Sequence, residues 1–98
     1  IEVLVLLDVG GLEDNEKFEK HVKKEGFKAV EGEDFVYTAT STTTTFSTKA
    51  YILEVFKKGL QKNVFNDANL IFLLNETPYP TYYFDKNTND FELVQVEK

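Results

Sequence analysis

Asp8 is the first residue placed to do chemistry. It ends residues 2–8 (EVLVLLD), an apolar run just before Gly10-Gly11. Open α/β sheets gather ligands at the carboxyl ends of their strands, so a carboxylate there can reach solvent or a metal. The plainer reading has Asp8 capping the turn or the start of the following helix. A Gly-Gly turn before a helix can also form a nest of backbone amides for an anion. The segment DVGGLEDNE lacks both common phosphate-loop patterns, however, and its Glu13, Asp14 and Glu16 would repel a phosphate. A flexible turn is the better reading.

The other candidates are weaker. His21 is the only histidine and cysteine is absent, which excludes disulfide scaffolds, Cys/His zinc sites, Cys–His nucleophiles and Ser–His triads. Residues 41–48 (STTTTFST) carry many hydroxyls but no nucleophile elbow, so helix capping is their expected role. Lys49, Lys57, Lys58 and Lys62 surround a lone Glu54 and give one stretch a local positive charge. That patch offers nucleic-acid contact through phosphates, against the alternative of a solvated helix face. All eleven basic residues are Lys, and Arg is the usual fork for phosphate and guanine. Tyr79, Tyr82, Tyr83 and Phe84 cluster around Pro78 and Pro80. Aromatics of this kind stack on bases or anchor protein interfaces, and the interface reading is preferred.

The elements that must position these residues follow from pattern. Residues 2–8 and 69–75 (NLIFLLN) are continuous apolar runs, which predicts strands covered on both faces. Asp14 or Asn15 can cap a first helix that Gly26 stops, with Val22 and Phe27 set for a Schellman contact. Three Glu-to-Lys i,i+4 pairs and a narrow Phe18/Val22 stripe make it a surface helix. Residues 28–31 and 35–40 flank Gly32-Glu33-Asp34 and read as a hairpin. A second helix is expected over residues 47–62, with Ile52, Leu53, Phe56 and Leu60 facing inward and Gly59 letting it approach the sheet. Residues 81–85 and 91–97 flank a polar turn and predict a terminal hairpin.

That order predicts an α+β fold, a ferredoxin-like βαββαβ sandwich. Both helices would lie on one face of an antiparallel sheet, because each offers a single apolar stripe. The expectation is one domain, residues 1–98, with residues 76–98 as a hairpin extension. With 98 residues and 42% hydrophobic content the chain can bury a core. The net charge is −6. No apolar run approaches the ~20 residues of a membrane span. A cytoplasmic protein without a leader is expected, with trimming suggested by the start at Ile1.

The opening VLVLLDV, the charged helix ending in KKEGF and the later DANLIFLL together resemble Cas2 proteins of CRISPR systems. The wider group, with its VapD-like and GhoS-like ribonucleases, shares the architecture. The resemblance implies a metal-dependent nuclease or nucleic-acid-associated homodimer using Mg²⁺ or Mn²⁺. In the family an aspartate from each subunit is thought to hold the metal, and Asp8 is the position that carries over. The chain departs from the family in having no Arg, and in reading VEGEDFVYT where the second strand usually carries a Gln-x-Ser-Val-Phe-like step. The alternative function is a non-catalytic regulatory or protein-interaction module. A homodimer is expected through residues 79–96, with Tyr79, Tyr82, Tyr83 and Phe84 at the interface.

Overall fold

The β-branched and aliphatic residues that open the chain form strand β1, Glu2–Gly10, in a computed structural model that describes residues 1–94. Helix α1, Asn15–Lys24, follows. Asp14 caps it, its carboxylate accepting from the Lys17 amide at 3.0 Å. The helix stops as its sequence requires. Gly26 has φ +97°, the Phe27 amide donates to the Val22 carbonyl at 3.0 Å, and the Gly26 amide donates to Lys23 at 3.1 Å. With Val22 and Phe27 both buried, this is a complete Schellman ending.

Strands β2 (Lys28–Ala29) and β3 (Val36–Thr40) come next. The connection between them is longer than the expected three-residue turn. Helix α2 spans Thr45–Gln61 and is capped by Thr44, whose hydroxyl accepts from the Ser47 amide at 3.1 Å. It begins two residues earlier than expected because Thr44, within the Ser/Thr stretch, is the cap used. Strand β4 (Asp67–Leu74) then makes a two-residue turn into the short β5, Thr77–Pro78. Strands β6 (Tyr82–Asp85) and β7 (Asp90–Leu93) form the terminal hairpin. The expected continuation of its last strand, residues 95–97, lies outside the described residues.

Among the described residues all pairings are antiparallel, in one seven-stranded sheet ordered β2-β3-β1-β4-β6-β7, with β5 on β4. β1 and β4 are the adjacent central strands. The two helices share the face on which Tyr37 projects. Phe18 of α1 and Phe56 of α2 lie 6.4 and 5.6 Å from the Tyr37 ring, and 5.9 Å from each other. Gly59 permits a close approach, but to α1 rather than to the sheet. A methyl group there would sit 2.9 Å from the Phe18 ring and 3.0 Å from His21.

One expectation fails. Neither central strand is covered on both faces, since burial alternates along β4 and along β1 as far as Asp8. Val3, Val5 and Leu7 of β1 and Ala68, Leu70, Phe72 and Leu74 of β4 are buried, whereas Leu6 and Ile71 are exposed. The cause is that both helices occupy the same face. Neither helix is long and apolar enough to cross a membrane, among the described residues.

Candidate functional site

The residues opposite the helices build the candidate site. Along β1 they are Glu2, Leu4, Leu6 and Asp8, and register fixes their neighbours. On β4, Leu73 stands opposite Leu4, Ile71 opposite Leu6 and Asn69 opposite Asp8. On β3, Thr38 faces Leu4 and Val36 faces Leu6. On the far side Tyr83 of β6 pairs with Asn69 and with Glu92 of β7. The centre of the face is therefore aliphatic: Leu4, Leu6, Val36, Ile71 and Leu73, flanked by Tyr83. Leu6 and Ile71 are 36% and 37% exposed, Tyr83 39%. A groove of about 700 Å³ opens at one end, where Glu2, Leu4, Thr38, Leu73 and Glu76 meet.

Asp8 lies on this same face and is exposed, with Asn69 across from it and Asp67 two pairs further along, opposite Gly10. Among the described residues no three His, Asp or Glu side chains come together as a metal site.

The lysines of α2 are partly occupied. Lys57 and Lys58 reach the same carboxylate, Glu54, at 3.0 and 3.5 Å. The hydrogen bond to Lys57 lowers the Glu54 pKa, and the same bond raises that of Lys57. Lys49 lies 5.7 Å over the Tyr82 ring. Lys62 is the exposed C-cap residue of α2. These lysines belong to a different surface from Asp8.

The aromatic cluster divides in the same way. Tyr79 and Tyr82 stack on Phe72 at 5.4 and 6.1 Å, and Phe84 packs edge-on to Phe65 and Phe91. All three rings turn to the helix side. Tyr83 alone of the four turns to the open face. His21 is structural, its Nε2 donating to the Val55 carbonyl at 2.8 Å. Glu19 and Tyr37 form an internal pair that sequence reading missed: the Tyr37 hydroxyl donates to Glu19 Oε1 at 2.7 Å. Burial first, and then this carboxylate, push the Tyr37 pKa far up.

The aliphatic face was also missed as a site, because its residues were assigned to a second layer of cover. A usable signal was present. Two helices with one apolar stripe each can cover one face of such a sheet and leave the other open. The sequence matches no family model, and neither a curated protein nor a solved structure matches it.

Proposed function

We propose that this chain is a non-catalytic interaction module of ferredoxin-like architecture that docks a protein partner on the open face of its sheet. The strand order β2-β3-β1-β4, with α1 and α2 on one face, supports the architecture, and β6–β7 extends it. The observation that carries the function is the contiguous aliphatic centre of Leu4, Leu6, Val36, Ile71 and Leu73. Fully burying a side chain of this size is worth about 1.5–3 kcal/mol, and these positions have realised only part of it. Contiguous apolar surface of this kind marks interaction sites.

The test is crosslinking followed by reconstitution. A photo-crosslinking amino acid replaces Leu6 or, as control, Lys20 on the helix side, and the captured protein is purified and titrated. Binding lost in Leu6→Lys and retained in Lys20→Glu supports the reading. Binding indifferent to Leu6→Lys removes it.

A second reading, a Cas2-like nuclease or nucleic-acid-associated dimer, is favoured by one observation: Asp8 is exposed on the same face, near the carboxyl end of β1. A Mg²⁺ or Mn²⁺ site there requires a carboxylate from a second copy. Mn²⁺-dependent cleavage of RNA or DNA by a dimer, abolished in Asp8→Asn, would establish it. A dimer with no such cleavage counts against it.

A further inference from the structure

We propose that the partner presented to the open face is a cationic amphipathic helix. The inference rests on reading that face as a docking surface and adds the partner's shape and charge. Shape comes from strand spacing. The aliphatic centre with Tyr83 runs from β3 through β1 and β4 to β6, three gaps of ~4.8 Å or about 14 Å across. One helix with its side chains is ~10–12 Å wide, so a single helix covers it. Along the strands, the nine residues of β1 span about 30 Å, and a helix of about 18 residues spans ~27 Å. The opposite face of this same sheet is already covered in this manner, by the apolar stripes of α1 and α2.

Charge sets the rim. Register puts Glu2 at one end of the aliphatic centre and Asp8 and Asp67 at the other, with Glu92 beyond Tyr83. Glu76 lines the groove beside Glu2. Among the described residues, the same register puts a single cation, Lys28 paired with Thr38, on this face. Two copies laid face to face would set carboxylates against carboxylates, and the chain as a whole carries −6. Nucleic-acid phosphates meet the same repulsion. Lysines or arginines flanking a leucine stripe complement both the rim and the centre.

The probe is a pair of synthetic 18-residue helices with the same leucine stripe, one flanked by lysines and one by glutamates, each titrated calorimetrically into the whole protein. The lysine peptide is expected to bind at least about tenfold more tightly. The gap should narrow near 1 M salt, where the Debye length is ~3 Å. Leu6→Lys should abolish binding while its melting curve shows the fold kept, and Ile71→Lys serves if that variant fails to fold. Equal binding of the two peptides overturns the cationic partner but leaves the docking face standing. Sedimentation showing a dimer that Leu6→Lys dissolves makes a second copy the occupant and overturns the inference. If neither peptide binds while a partner crosslinked at position 6 does, the helix is wrong and the face is right. If both experiments fail, both readings fall.

Discussion

Leu6 and Ile71 are direct cross-strand neighbours on the two central strands, and both stand on the face opposite the helices. Residues on either side of each are buried to a few per cent, so the pair marks where the internal core ends and the outward aliphatic surface begins. If that surface serves binding, its residues should be dispensable for folding. Leu6→Thr puts a β-branched strand former in place of leucine and is expected to change stability by less than about 1 kcal/mol. Phe72→Ala, one residue away from Ile71 but on the covered face, should cost about 3–5 kcal/mol. Urea unfolding of both variants decides it, and a Leu6→Thr loss approaching that of Phe72→Ala would mean the open face is structural.

Gly59 is a packing glycine. Alanine favours helix by about 1 kcal/mol over glycine, so Gly59→Ala would stabilise an unhindered helix. Here the added methyl meets Phe18 at 2.9 Å, and Phe18 is fully buried among the rings of Phe35, Tyr37 and Phe56. Overpacking typically costs about 1–3 kcal/mol, so the variant should be net destabilised. Thermal unfolding checks this. A higher melting temperature would show that α1 yields easily.

The β4–β5 turn holds a removable strain. Asn75 and Glu76 have φ of +49° and +67°, the left-handed pair that a two-residue hairpin demands. Asn suits its position, whereas Glu does not. Glu76→Gly is expected to raise stability by up to about 1 kcal/mol, the relief of strain exceeding the added chain entropy. An unchanged urea midpoint would argue that the turn carries no strain.

Tyr37 and Glu19 should reveal themselves through pH. The Glu19 Oε2 atom is buried without a partner, so among the described residues the Tyr37 hydroxyl is the one donor its carboxylate has. Tyr37→Phe should therefore cost about 1–3 kcal/mol near neutrality. The folded-state pKa of Tyr37 is raised, so its contribution is fully present below the unfolded value of about 10 and is lost as pH rises above it. The stability gap between wild type and Tyr37→Phe should be flat to about pH 9 and shrink above it. A gap constant to about pH 11 would contradict the pairing.

Much of the element order was legible because its signals are local. The Asp14 cap, the Val22–Gly26–Phe27 stop and the polar turn before Asp90 each lie within a few residues of the structure they specify. What escaped depends on elements meeting in space. Alternation along EVLVLLD is invisible when every residue is apolar, so which leucines face out is decided only by where α1 and α2 settle. The same holds for Gly59, whose neighbour is a helix about forty residues away in the chain, and for Tyr37, whose partner is eighteen residues back. Asp8 was expected to end its strand, but β1 runs on through Val9 to Gly10 and holds Asp8 paired with Asn69. Of the neighbours it would need as a ligand, the sequence said nothing.

The most direct measurement of the docking face is a methyl NMR spectrum of the whole protein, recorded with and without the lysine-flanked leucine helix. The methyl groups of Leu4, Leu6, Ile71 and Leu73 are expected to shift together on addition. Those of Ile52 and Leu60, on the buried side of α2, should stay in place. Shifts centred on α2, or a spectrum in which Leu6 and Ile71 do not respond, would contradict the open face as the binding surface.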